Sequence, residues 1–270
     1  MRSETTTHAV KKTILFILPI LLITLLTACT TTTENISRES VNETIDKTVD
    51  ETANMLQVDD EGNTKFDAGI LNKFLNQATA AKLSTEEIAG IMFMLEEEKL
   101  ARDVYLKLYE KWNQQSFSNI SQSEETHIGA VRSLAEKYGI DVSFYNDEVG
   151  EFTDEILLGL YNDLVTQGEG SLVEALKVGA LIEEIDILDL EEYLSQTDKD
   201  DIALVYENLI RGSRNHLRSF VRTMTRQGQD YEPQRLGKTN YEEIINSENE
   251  RGGSGQGSGM NSKGQGRNRN

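Results

Sequence analysis

Cysteine and proline are almost missing from this chain, and positive charge is scarce. Its 270 residues include one cysteine, Cys29, and two prolines, Pro19 and Pro233. A lone cysteine excludes an intramolecular disulfide framework and any cysteine-rich metal cluster. The long interval between the prolines has none, which with its helical spacing of apolar residues predicts an all-α domain. Lysine and arginine total 27 against 46 acids, a formal net charge of −19. Such a surface repels phosphate backbones, so nucleic acid is excluded as a partner. The length allows one large or two small domains, and 37% apolar residues suffice for a real core.

The apolar residues cluster first at the N-terminus. Arg2, Lys11 and Lys12 precede the run ILFILPILLITLL, which is short of the roughly 20 apolar residues a transmembrane helix needs. A basic start, a short apolar core and small residues behind it predict a secretory signal over residues 1–28. Leu26-Thr27-Ala28-Cys29, followed by threonines, resembles the bacterial lipoprotein signal. That resemblance implies cleavage before Cys29, lipid on its sulfur and amine, and anchoring to a membrane outside the cytoplasm. Each buried acyl CH₂ contributes about 0.8 kcal/mol, so two or more chains hold firmly. In a Gram-negative cell, Thr30 in place of Asp after the cysteine points to the outer membrane.

Behind the signal, residues 29–64 are polar and predict a disordered tether. Residues 236–270 predict a flexible tail, Gly-rich and basic in its last part, RGGSGQGSGMNSKGQGRNRN. Between them, 65–235 hold the helical domain. Ser84-Thr85-Glu86-Glu87 is a capping box opening a helix to about Trp112. Ser121 or Ser123 starts a second, closed by Gly139. Ser171 to Glu174 is a further box opening a third, to about Leu194, and Thr197 or Asp198 starts a fourth that stops at Gly228. Shorter helices are expected near 66–75 and 155–165. Two short connections and one long crossover, between helices two and three, describe a ferritin-like four-helix bundle.

Three histidines exist, and His8 falls in the signal. His127 and His216 sit in the second and fourth long helices. Glu124-x-x-His127 places both groups on one helix face, the spacing used in di-iron carboxylate bundles. On the first helix Glu98 lies three before Ala101 and seven before Tyr105, on the apolar stripe, whereas Glu96 and Glu97 are expected in solvent. On the third, Glu183 and Asp186 share a face inside an apolar turn. Carboxylates with a few imidazoles suit iron or manganese.

Glu98-Lys-Leu-Ala101-Arg102-x-x-Tyr105, Glu124-x-x-His127 and Glu183-x-x-Asp186 resemble the rubrerythrin-like branch of the ferritin-like superfamily. The strings EEEKLARDVY, SQSEETH, GALIEEIDILDLEE and VYENLIRGSRNHLRSF together are similar to the prokaryotic family catalogued as domain of unknown function 2202. The resemblance implies a dinuclear site of Glu98, Glu124, His127, Glu183, Asp186 and His216, holding two irons per chain or manganese. It departs at Ser213, where a fourth-helix Glu is expected three residues before His216. The implied chemistry is oxidation of Fe(II) or reduction of O₂ or peroxide, which in an enzyme would be di-iron carboxylate oxidoreductase activity. No cysteine pair supplies an electron relay, so the reductant comes from an external donor; a homodimer is the candidate assembly. The competing expectation is a non-enzymatic envelope lipoprotein, its bundle a binding or scaffolding module and its carboxylates paired with Arg102, Arg211, Arg214 or Arg218 instead of metal. Tyr105 or Tyr206 would stand near the metals as hydrogen-bond donor or radical trap; the other aromatics are core.

Overall fold

Ser84 begins the longest described helix as its sequence dictates. Its hydroxyl accepts the Glu87 amide and the Glu87 carboxylate accepts the Ser84 amide, satisfying two open donors of the first turn. The computed structural model describes residues 52–251. Cys29, the signal over 1–28 and the last part of the tail lie outside them. The elements in chain order are β1 (Leu56–Val58), β2 (Thr64–Phe66), α1 (Ala68–Gln77), α2 (Thr85–Trp112) and α3 (Gln115–Tyr138). They continue with α4 (Glu155–Gly168), α5 (Leu172–Ser195), α6 (Asp200–Arg226) and α7 (Lys238–Asn246). The domain is predominantly helical, with an antiparallel hairpin of β1 and β2. No helix among the described residues is long and apolar enough to cross a membrane.

The four long helices pack side by side. Helix α2 lies along α3 and α5 along α6, while α2–α5 and α3–α6 contacts close the set. The turn between α2 and α3 is tight, with Asn113 in the left-handed region at φ 48°. Tyr105, Phe117 and Phe220 form one aromatic cluster of the core, with centroids 5.2 to 6.2 Å apart. The long connection from α3 to α5 runs through residues 139–154 and α4.

That connection is tied down by charges of α2. Glu96 accepts the amides of Thr153 (2.6 Å) and Asp154 (2.9 Å) just before α4. Lys99, fully buried, pairs with Asp103, donates to the Glu148 carbonyl at 2.8 Å and lies 4.3 Å from the Phe152 ring centre. Arg102 reaches Glu125 at 2.7 Å and Asp147 at 2.8 Å. Glu96, expected in solvent, is therefore buried because it collects backbone donors that arrive from far along the chain.

Several element boundaries differ from expectation. Helix α3 starts at Gln115, not at Ser121 or Ser123, because those hydroxyls bond back to the carbonyls of Ser118 and Asn119 inside the helix. Helix α6 is preceded by Lys199, since the Thr197 hydroxyl donates instead to Glu87 at 2.7 Å. Part of the expected tether, 56–64, forms the hairpin. Part of the expected tail is helix α7, held because Glu184 accepts the amides of Gln234, Arg235 and Leu236 (3.0, 2.7 and 2.7 Å) and the Tyr231 hydroxyl. Arg218 adds a bond to the Ile244 carbonyl at 2.7 Å.

Replacing Glu184 with Ala leaves three backbone donors and a buried phenol without their acceptor. We expect a loss of about 3 kcal/mol or more in denaturant unfolding, with residues 231–251 the first to exchange amide hydrogens. A loss below about 1 kcal/mol would mean that water replaces the carboxylate.

Candidate metal centre

Each long helix turns one or two acids or imidazoles into the space between them. Glu98 comes from α2, Glu124 and His127 from α3, Glu183 and Asp186 from α5, and His216 from α6. All six are buried, the two imidazoles completely. The small Gly212 of α6 permits the close approach of His127, because a Cβ there would stand 2.7 Å from its Cε1.

Glu124 lies at the centre. Its Oε2 is 2.8 Å from Nδ1 of His127 and its Oε1 is 2.9 Å from Nδ1 of His216. Glu98 approaches the same nitrogen of His127 at 3.2 Å, and Glu183 that of His216 at 3.6 Å. The result is two triads that share Glu124: Glu98–Glu124–His127 and Glu124–Glu183–His216. Within each, one donor atom per residue lies within 4.8 Å of the others. The two rings are near parallel, 17° apart with centroids at 5.4 Å.

Several of these buried atoms lack an aligned hydrogen bond. Oε1 of Glu98, Oε1 of Glu124 and Nδ1 of His216 are buried and make no aligned hydrogen bond, although the last two are only 2.9 Å apart. An unpaired buried polar atom costs about 1–3 kcal/mol, and a cation between these lone pairs would remove that cost. Glu124 sets one oxygen against the imidazole of each triad. The residues therefore fit two divalent ions of the oxygen- and nitrogen-preferring kind.

The other expected residues divide. Asp186 stands outside both triads: Oδ2 accepts the Ser213 hydroxyl and Oδ1 has no partner. Ser213 thus serves Asp186 and gives no ligand to the second triad. Tyr105 donates to Glu183 at 2.6 Å, while Tyr206 is buried with an unbonded hydroxyl. None of the four candidate arginines pairs with these acids. Arg102 binds the crossover, Arg211 the Leu56 carbonyl and Asn208, and Arg214 and Arg218 bind Glu250.

Two residues escaped the sequence reading. Glu97, expected in solvent, is 4% exposed with neither oxygen bonded. Burial first, then Asp186 and Asp189, pushes its carboxyl well above the usual range. Thr64 of β2 places its hydroxyl 2.9 Å from Nε2 of both His127 and His216. The turn-forming string Asp59-Asp60-Glu61-Gly62-Asn63, between the short alternating segments LQV and TKF, was the signal for this hairpin.

The electrostatics follow from crowding acids and imidazoles away from water. Burial raises Glu98 from 4.5 to about 7, against the pull of His127. Burial also works to raise Glu124, but His216 and His127 outweigh it and hold that carboxyl far below its usual range. For His216 burial acts downward, yet Glu124 and Glu183 carry it up to about 9, and His127 is raised for the same kind of reason. Burial raises Glu183 and Asp186 as well.

These shifts predict a direction for the pH response of the metal-free chain. The stabilisation from His216 is complete below its unperturbed value of 6.5 and is lost as pH rises through about 9. Glu98 acts in the same sense, because the folded state holds its proton more tightly and stability falls from pH 4.5 through about 7. We expect the melting temperature of the metal-free chain to fall between pH 6.5 and 9. Affinity for divalent metal should rise over that interval, because the Nδ1 proton no longer has to be displaced. Thermal melts and calorimetric titrations across the range check both; a flat melting curve would contradict the assignment.

Comparison with known proteins places the chain in a family. The domain described as "Uncharacterized protein domain (DUF2202)" matches residues 87–248. The chain is 51% identical over 180 residues to Uncharacterized protein MJ0754 of Methanocaldococcus jannaschii, covering 67% of this chain and 97% of that protein. It is also similar to the crystal structure of hypothetical protein MJ0754 from Methanococcus jannaschii, with a TM-score of 0.62 and 51% identity, over 63% of this chain and 98% of that one. With the family domain spanning more than half its length, from the capping box of α2 to the end of α7, the chain belongs to the DUF2202 family.

Proposed function

We propose that this protein is a ferritin-like four-helix domain that binds a dinuclear iron or manganese centre and is held outside the cytoplasm by lipid on Cys29. The observation that carries the metal reading is the pair of buried triads sharing one carboxylate, with Oε1 of Glu124 and Nδ1 of His216 unbonded and 2.9 Å apart. The order of helices, with its long crossover between α3 and α5, supports the ferritin-like frame. The anchor rests on the N-terminal sequence around Cys29, outside the described residues.

In this reading Glu98 and His127 would hold one ion and Glu183 and His216 the other, with Glu124 common to both triads. Iron or manganese bound there would supply one-electron chemistry toward O₂, peroxide or Fe(II) itself. The protein's part is positional. Tyr105 fixes Glu183 by donating to its Oε1, the other oxygen remaining on the His216 side. The fully buried Tyr105–Phe117–Phe220 cluster adjoins the site through the bond of Tyr105 to Glu183. Electrons come from an external donor, and a homodimer is the proposed assembly.

One observation favours a second reading, that of an envelope scaffold without turnover. Ser213 occupies the position of a ligand and is bonded to Asp186, so the second triad is poorer than a symmetrical centre. Iron content separates the two. The full chain, purified anaerobically in detergent and loaded with Fe(II), should carry about two irons. The His127→Ala, His216→Ala double variant should carry none while keeping its helical spectrum. One iron would point to the second triad as the weak half. No specific iron in the wild type would sink the dinuclear reading and leave the scaffold.

A further inference from the structure

The hairpin of β1 and β2 lies ahead of the segment matched by the family, which starts at Glu87, yet it reaches the centre. Its register pairs Leu56 with Phe66 and Val58 with Thr64, so the alternation along β2 turns Thr64 and Phe66 inward and Lys65 outward. A slip of one residue would put a lysine where the threonine stands. Both histidine-bearing helices hold this register. From α3, Ser123 Oγ accepts the Thr64 amide at 2.9 Å and Thr126 Oγ1 accepts the Phe66 amide at 3.1 Å. From α6, Arg211 donates to the Leu56 carbonyl at 3.1 Å and Arg222 to the Glu61 carbonyl at 2.7 Å. Gly62, at φ +89°, makes the turn, and a Cβ there would come within 2.9 Å of the Asn215 carbonyl oxygen.

The hydroxyl so placed serves two rings at once. A hydroxyl oxygen can accept two hydrogen bonds, and Nε2 of His127 and of His216 each lie 2.9 Å from Oγ1 of Thr64. If each ring carries its proton on Nε2, the oxygen accepts both and each Nδ1 is left for the carboxylate side. An imidazole that binds metal usually gives its other N–H to a fixed acceptor, which sets its tautomer and orientation. Here one acceptor would serve both ligands. The ring edge of Phe66 against His127, 5.7 Å between centroids at 89°, further limits rotation of that ring.

We infer that Thr64 is a positioning residue of the centre: its oxygen accepts Nε2–H from both His127 and His216 and so turns both Nδ1 atoms to the metal side. The inference rests on the metal reading above for its consequence, but not for its geometry. It makes the hairpin a working part of the site.

Two measurements on the full chain test it. In the metal-free wild type, nitrogen-15 correlation spectra of the imidazoles should show both Nε2 atoms protonated and their protons slow to exchange. Thr64→Ser should keep these signals and Thr64→Val, which retains the shape without the hydroxyl, should lose their protection. In anaerobic calorimetric titration with Fe(II), Thr64→Val should bind about 10–100-fold more weakly, Thr64→Ser should restore the affinity, and circular dichroism should be unchanged. A ring of the wild type protonated on Nδ1 alone would overturn the inference, and this needs no variant. Thr64→Val with wild-type affinity and both protected protons would overturn it too. If the wild type binds no iron while the two protons are present and depend on Thr64, the dinuclear reading falls and the positioning of the rings by Thr64 stands.

Discussion

The arrangement of the domain depends on one buried carboxylate, Glu124, shared between two buried imidazoles from different helices. Removing a charge from water is expensive unless opposite charge or a cation meets it. His127 and His216 do so from α3 and α6, and with Glu98 and Glu183 they bring all four long helices to one point. The apolar core can be filled in many ways, but this cluster fixes the register of α2, α3, α5 and α6 relative to each other. Small residues nearby obey it as well: Gly212 makes room for the His127 ring, and Gly179 for Phe220.

A second feature is the division of labour in the charged stretch of α2 from Glu96 to Asp103. Glu96, Lys99, Arg102 and Asp103 face the crossover and bind its backbone and acids. Glu98 faces the centre, and Glu97, between the two sets, meets neither a donor nor an opposite charge. One helix thus carries two sets of buried polar groups with different purposes.

Much of this was legible in the sequence. Capping residues such as Ser84 and the left-handed Gly139 marked helix ends, because their chemistry is local. The Glu-x-x-His spacing on α3 needed only helix geometry. What the sequence concealed depends on partners remote along the chain. Glu96 and Glu97 looked solvated because the amides of Thr153 and Asp154, and the acids of α5, cannot be anticipated from neighbouring residues. Serines inside α3 imitate a start signal, since the same hydroxyl can cap an end or bond back within the helix. The hairpin hid in polar composition: its strands are three residues each and gain their stability from α3 and α6.

The placement of that hairpin also bears on the order of folding. Thr64 is 63 residues from His127 and 152 from His216 in the chain. It is made early in synthesis, yet its two partners are together only after α6 has packed on α3. Contacts of such long separation close late, because the entropy of closing the loop must be met before they form. The first part of the domain to be synthesised is therefore among the last to complete its contacts, because both imidazoles that meet Thr64 come from helices made after it.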